Sequence, residues 1–140
     1  MVAYSGIDPV NCADIQNTFD SAGLLVKYNA SGIMITASVT DKPIGVTIDE
    51  SSRDADNALE AAGTETVTIV PWSGVQMVKC VGGALKTGER IYVSQTAQTD
   101  GFCHTDASNS STFIGLYMGE DNITPAAGDL IPVLCATVVE

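Results

Sequence analysis

The only histidine of the chain, His104, directly follows Cys103, and this pair is the first candidate for catalysis. A cysteine nucleophile needs an imidazole within hydrogen-bond reach, and a third group must orient that imidazole. Adjacent residues of a strand point to opposite faces, and the surrounding stretch 99–106 has the composition of a loop. We therefore expect a surface histidine, no catalytic residues and no enzymatic activity. An enzyme of unrecognised type that uses these two residues is kept as an alternative.

Metal-ligating and phosphate-binding patterns are weak in this sequence. Two sets of side chains come nearest to a metal site, namely Asp100 with His104 and Asp106, and Asp54 with Asp56 and Glu60. Neither set has the alternating acids, central glycine and closing glutamate of a calcium loop. Gly82-Gly83 comes nearest to a phosphate loop, but no lysine follows at the required place. Solvated charge and a strand corner are the better interpretations, so we expect no metal and no cofactor.

The four cysteines lie far apart and form no C-x-x-C pair, which argues against a zinc site. The amino-terminal stretch lacks the basic and apolar regions of a secretory signal, which predicts synthesis in a reducing cytoplasm. Free thiols are the favoured interpretation in that compartment. A disulfide framework would allow three pairings among them, and the sequence does not choose one. The cysteines are Cys12, Cys80, Cys103 and Cys135.

The charge balance excludes two classes of partner. The 140 residues include 17 acidic and 6 basic side chains, for a net charge of −11, and the basic residues are scattered singly. Binding to nucleic acid or to an anionic membrane surface needs clustered Lys and Arg. The chain also lacks the run of about 18 apolar residues that a membrane-spanning helix requires. We expect neither nucleic acid nor membrane as a partner.

Short apolar runs separated by turn residues dominate the chain and predict an all-β fold. Residues 24–28 and 33–36 read as a hairpin with a four-residue connection at Asn29–Gly32. Val67 and Ile69 alternate with threonines, the period of a half-buried strand. Further runs follow at 75–81, 91–94, 113–118 and 130–139. About eight short strands indicate a small β-barrel or β-sandwich.

Two segments leave the secondary structure open. Residues 52–62 fit either one short helix, with Gly63 as its C-cap, or a polar surface loop. Residues 12–19 fit a weak helical pair, Ile15 and Phe19, or an extended arm that begins after Asp8-Pro9. We therefore divide the chain into an N-terminal arm, residues 1–23, and a single β-domain, residues 24–140.

The sequence repeats two kinds of element. A small residue, a glycine and an acid precede three alternating strands, at Ala61–Glu65, Lys86–Glu89 and Ala126–Asp129. Glycine supplies the positive φ of a tight corner, and the acid can accept hydrogen bonds from nearby backbone N–H groups. Ile44-Gly45-Val46 also matches Ile114-Gly115-Leu116, and a glycine inside a strand marks a bulge or a close approach by another backbone.

In this order the elements resemble the small capsid decoration (cement) proteins of tailed double-stranded DNA viruses. The matching motifs, in order along the chain, are Leu25–Gly32, Asp41–Val46, Ala62–Ile69, Gly83–Val93, Ile114–Leu116 and Ala127–Val133. The resemblance as a whole covers roughly residues 12 to 139. Each motif is short, and the order of the motifs carries the resemblance. The sequence departs from the family pattern in the acidic stretch Asp49–Glu60 and in the loop around Cys103.

The resemblance implies a structural protein of the virion, on the outer surface of the capsid. Such proteins are commonly homotrimers that bind the major capsid protein and stabilise its lattice. The side chains expected to contact the assembly are Tyr4, Ile7, Pro9 and Trp72. The alternative is a small receptor- or carbohydrate-binding β-domain of a virion fibre or spike, which exposed aromatic pairs on one strand face would favour.

Overall fold

The computed structural model describes residues 9–12, 15, 17–36, 38, 40–59, 66–94, 101–105 and 111–136. Within these ranges the chain is all-β, which confirms the predicted fold class. Ten strands lie in the described part of the chain, and two short ones, β1 and β8, account for the excess over the predicted eight. The strands are β1 (Val10–Cys12), β2 (Leu25–Asn29), β3 (Gly32–Ile35), β4 (Gly45–Thr47), β5 (Val67–Pro71), β6 (Val75–Lys79), β7 (Arg90–Val93), β8 (Cys103–His104), β9 (Phe113–Tyr117) and β10 (Leu130–Cys135).

The strands form two antiparallel sheets with the same internal order. The first sheet has the order β1-β5-β4-β2-β3, and the second has the order β6-β10-β9-β7-β8. Adding five to each strand number of the first sheet therefore gives the strand order of the second sheet. In the first sheet a parallel bridge joins Ile15, which follows edge strand β1, to Ile33 in the opposite edge strand β3. In the second sheet a parallel bridge joins Cys80, which follows edge strand β6, to Cys103 in the opposite edge strand β8. Each sheet therefore curls into a partly closed barrel.

The two sheets also agree in hydrogen-bond register. Gly45 lies opposite Val26 and Pro71 in the first sheet. Gly115 lies opposite Ile91 and Cys135 in the second sheet. Because a shift of one residue would turn every side chain to the other face, this agreement fixes which residues are equivalent in the two halves.

The agreement extends to contacts outside the strands. Gly23 N–H donates to Thr47 O at 2.7 Å, and Gly88 N–H donates to Tyr117 O at 2.8 Å. The two donor glycines have φ values of +84° and +85°. Trp72 N–H donates to the carbonyl of Ile44 in the same way that Ala136 N–H donates to the carbonyl of Ile114. The described part of the chain thus contains two five-stranded units with the same strand order and matching register.

The echoed Ile-Gly motifs occupy equivalent places in the two units. A Cβ on Gly45 would lie 2.5 Å from the carbonyl oxygen of Val70. A Cβ on Gly115 would collide with the carbonyl oxygen of Leu134. Both glycines therefore permit the close backbone approach that the sequence predicts, at the crossing of the central strands with β5 and β10.

The apolar interior follows the division into two sheets. One cluster fills the first sheet and consists of Ile15, Phe19, Leu24, Val26, Ile33, Val67 and Ile69. A second cluster joins the interior of the second sheet to three buried residues on the outward side of the first, Leu25, Val46 and Val70. The second sheet therefore covers one face of the first sheet.

The glycine-and-acid corners adopt the predicted geometry where the structure describes them. Gly88 and Gly128 have positive φ, and the acids that follow, Glu89 and Asp129, accept hydrogen bonds from the backbone N–H three residues earlier, at 3.0 and 2.9 Å. The N–H of each acid donates back to the carbonyl of that earlier residue. The third corner, at 61–65, lies outside the described residues.

We predict that Asp129→Ala lowers the free energy of unfolding by about 1 kcal/mol, because the N–H of Ala126 loses its carboxylate acceptor. Asp129→Asn keeps an oxygen acceptor at the same place and should lose clearly less. Urea denaturation of the three proteins measures the difference. Equal losses for alanine and asparagine would contradict the role given to the carboxylate oxygen.

Two local predictions need correction. The hairpin connection has two residues, Ala30 and Ser31, because Asn29 and Gly32 still pair across the strands. The short helix is wrong over residues 52–59, where Arg53 bridges to Leu59 and Asn57 has a φ of +66°. The carboxylate of Asp54 accepts hydrogen bonds from two N–H groups of this loop, which favours a turn over a helix. Residues 60–62 lie outside the described part.

The described part of the predicted N-terminal arm packs into the first unit. Strand β1 pairs with β5 over Val10–Cys12, so the extended alternative holds here. Phe19 is fully buried, and its carbonyl accepts a 2.7 Å hydrogen bond from the N–H of Ser51. This segment completes the first interior in the same way that the chain after β6 completes the second.

Candidate assembly surface

The candidate catalytic pair divides between the inside and the outside of the second sheet. Cys103 is fully buried, whereas His104 is half-buried and its Nε2 lies 2.8 Å from the carbonyl oxygen of Val93. Burial raises the pKa of the Cys103 thiol well above its ordinary value, and the nearby Cys80 raises it further. A thiol that stays protonated is a poor nucleophile. This geometry gives no support to a thiol–imidazole mechanism.

Burial also raises the pKa of Cys80 and raises that of Cys135 to about 12. Thiols of the unfolded chain ionise near 9.0, so these groups stabilise the fold fully below that pH. As the pH rises above about 9, the unfolded chain loses protons that the folded chain keeps, and we expect stability to fall.

Urea midpoints at pH 7, 8, 9 and 10 measure this decline. A variant with Cys103→Ala and Cys135→Ala lacks two of the thiols and should show a shallower decline. An identical decline in the variant and the parent would contradict a contribution from these thiols.

The acidic sets do not gather into a metal site where they are described. No group of three or more His, Cys, Asp or Glu side chains suited to a metal lies within the described residues. Asp100, Asp106 and Glu60 fall outside those residues. Asp54 is occupied with the backbone of its own loop. In the same described ranges, no helix has the length and apolar character needed to cross a membrane.

The predicted assembly contacts have different surroundings. Tyr4 and Ile7 lie outside the described residues, and Pro9 is exposed at the start of β1. Trp72 is half-buried against the second interior cluster, and its Nε1–H donates to the carbonyl of Ile114 at 3.2 Å. This indole therefore ties the connection between the two units to β9. Its role in assembly stays a prediction.

The second sheet carries an apolar surface on its outward side, which we call the outer apolar face. The register places its side chains on one side of β6, β10 and β9, because Val75 lies opposite Leu134, and Leu134 lies opposite Leu116. Five of its seven members are between 39% and 53% exposed. The face consists of Val75, Met77, Leu116, Met118, Leu130, Pro132 and Leu134.

Among the outward positions that the register pairs across β6, β10 and β9, Lys79 is the one charged residue, so the register places no acidic side chain there, although the chain has 17 acidic side chains. The charged residues that the register places directly opposite the members of the outer apolar face are basic, since Lys79 lies opposite Leu130 and Arg90 lies opposite Leu116. Single exposed apolar residues are common on proteins, but a continuous apolar face marks an interaction site. The lack of carboxylates removes a source of repulsion against an acidic partner.

Aromatic side chains lie beyond Arg90 on the same sheet. The guanidinium of Arg90 lies 4.1 Å from the centroid of the Phe113 ring, and its Nε donates to the hydroxyl of Tyr92 at 3.0 Å. The rings of Tyr92 and Phe113 meet edge to face with centroids 5.9 Å apart. Both rings are half-buried, so the cluster combines a fixed geometry with partial access to solvent.

Sequence reasoning misses the outer apolar face, although a signal is present. The sequence pattern correctly assigns strands to the residues of this face, namely Val75, Met77, Leu130 and Leu134. Where both faces of a strand are apolar, however, the alternation of residues does not show which face is covered. The matching Ile-Gly motifs indicate two equivalent units, and their equivalence makes the uncovered face visible.

Comparisons with known proteins add no assignment. No protein-family model matches the chain, and no match to a curated protein was found.

Proposed function

We propose that this chain is a structural capsid decoration protein that binds the outer surface of a viral head and stabilises its lattice. The observation that carries the proposal is the order of the motifs that resemble decoration proteins, because these motifs include the corners and close contacts on which the two units are built. The outer apolar face supports it, because it gives the chain a surface for subunit contacts within the assembled form.

The stabilising mechanism is mass action. A protein that binds only the assembled lattice lowers the free energy of the assembled state, by about 2.7 kcal/mol per site at a concentration one hundred times its dissociation constant. An oligomer with several attachment points gains further through effective concentration. We take the homotrimer implied by the resemblance as the assembled form, with the major capsid protein as its partner.

Co-sedimentation with undecorated shells tests the proposal. The purified chain is mixed with shells assembled from the major capsid protein encoded in the same genome. We expect saturable binding at a fixed ratio and a higher melting temperature of the decorated shell. A chain that stays in the supernatant at all concentrations, and leaves the shell's melting temperature unchanged, would overturn the proposal.

The aromatic cluster favours a second candidate, a receptor- or carbohydrate-binding domain of a fibre or spike. Half-exposed aromatic rings stack on sugar rings, and Arg90 adds hydrogen-bond donors next to Tyr92 and Phe113. A glycan array and the shell-binding assay distinguish the two candidates. Glycan binding that is lost in Tyr92→Ala, in a protein that does not bind shells, would favour this candidate over decoration.

A further inference from the structure

The two equivalent units differ in what covers their outward faces. In the first unit Leu25, Val46 and Val70 are at most 2% exposed. By register, the equivalent residues of the second unit are Arg90, Leu116 and Leu134. Of these three, Leu134 is 39% exposed. The same place in the fold is therefore covered in one unit and open in the other.

The second unit supplies the cover of the first. Edge strand β6 lies against the outward face of β4 and β5, since its Val78 belongs to the same buried cluster as Val46 and Val70. Beside this cluster, Val75, Gln76 and Met77 line one apolar groove with the same two valines. Backbone hydrogen bonds fix this contact, since Lys79 N–H donates to Gly23 O and Leu25 N–H donates to Gly101 O, both at 2.8 Å. The covering element is thus an edge strand of the neighbouring unit, together with the chain that enters β8.

The first unit has an equivalent edge strand, β1, that is open to solvent. In the first unit Val10 of β1 lies opposite Ile69, and in the second unit Gln76 of β6 lies opposite Val133. Val10 is therefore equivalent to Gln76, and Pro9 is equivalent to Val75. Val10 is 46% exposed, and Pro9 is exposed as well. One chain therefore has an uncovered outward face on its second unit and an unused covering edge on its first.

We propose that the outer apolar face binds the β1 edge of a second copy of this chain, in the same relation in which the second unit covers the first within one chain. Such a contact is head-to-tail and uses two different surfaces of each copy. Repetition of a head-to-tail contact closes into a ring when its rotation permits. The inference depends on the internal duplication and not on what the assembly decorates.

Two charged substitutions on the two surfaces test this contact. Leu134→Lys places an ammonium group on the outer apolar face, and Val10→Lys places one on the β1 edge. Each alone should raise the dissociation constant of the oligomer by about a hundredfold or more, because an unpaired ammonium is costly to bury. Sedimentation velocity should then show the mass of one chain, 14.5 kDa, whereas the unmodified protein should show a multiple of it.

Mixing the two variants gives the decisive measurement. Each variant keeps the surface that the other has lost, so an equimolar mixture should form a dimer with one intact contact. Ile44→Lys is the matched control, since Ile44 is 37% exposed and lies outside both surfaces. Met118→Lys is a second variant of the outer apolar face, in case Leu134→Lys fails to fold by circular dichroism, because Met118 is 47% exposed and lies outside the groove between the two units.

Three results would overturn the inference. In the first, the unmodified protein sediments as a single chain. In the second, the variants of the outer apolar face keep the mass of the parent oligomer. In the third, Val10→Lys keeps that mass while Leu134→Lys loses it. The last result would mean that the outer apolar face pairs with itself. A chain that forms the head-to-tail oligomer but does not bind shells would uphold the inference and overturn the decoration proposal, so the two failures are distinguishable.

Discussion

Replacing Gly115 by alanine is expected to lower the free energy of unfolding by about 3 kcal/mol, the upper end of the range for overpacking in a core. The new Cβ would collide with the carbonyl oxygen of Leu134 and approach the side chain of Val133 at 2.9 Å. The main collision is with backbone, so β9 and β10 must separate locally, and the Ala136 N–H to Ile114 O bond beside them weakens. Urea denaturation measures the loss.

The duplication supplies an internal check on this prediction. Gly45→Ala makes the equivalent collision in the first unit, at 2.5 Å from Val70 O, and should lose a comparable amount. Gly88→Ala is the contrasting control, because its Cβ would meet nothing within 4 Å and only the φ of +85° opposes it, at about 1 kcal/mol. Equal losses at Gly88 and Gly115 would contradict the steric explanation.

Phe19→Ala should cost about 3 to 5 kcal/mol, the usual range for truncating a fully buried phenylalanine. The ring fills the first interior, and the backbone of Phe19 exchanges hydrogen bonds with Ser51. Loss of the ring leaves a cavity that the curled sheet cannot close without distortion. Thermal and urea denaturation both measure the effect.

The control is Phe113→Ala, which removes a ring of the same size from the half-buried aromatic cluster of the second sheet. It should lose clearly less stability, because less apolar surface leaves the interior. If Phe19→Ala were no more destabilising than Phe113→Ala, the segment before residue 24 would behave as the separate arm that the sequence predicts.

The sequence is informative wherever a local rule decides the structure. The glycine-and-acid corners at 86–89 and 126–129 are predicted correctly, because positive φ and a short acceptor side chain are local requirements. The close approach at Gly45 and Gly115 is also predicted, because a strand interior favours a side chain and keeps a glycine mainly where a bulge or a neighbouring backbone needs the space.

Some features depend on contacts between distant residues and are not predictable in this way. Residues 52–59 have a capping signal and helical spacing of alanines, yet the pairing of Arg53 with Leu59 and the bonds to Asp54 select a loop. Strand β8 has only two residues, and its place depends on pairing with β7. The alternation of residues along the strands does not reveal the outer apolar face, because the arrangement of the two units decides which apolar side remains exposed.

The duplication has a consequence for symmetry. In the trimer that the resemblance implies, three chains would contribute six five-stranded units with the same strand order. A ring built by the head-to-tail contact would then have threefold symmetry in its side chains and approximate sixfold symmetry in its outline. The surface beneath such a ring would meet two alternating sets of side chains, those of the first unit and those of the second.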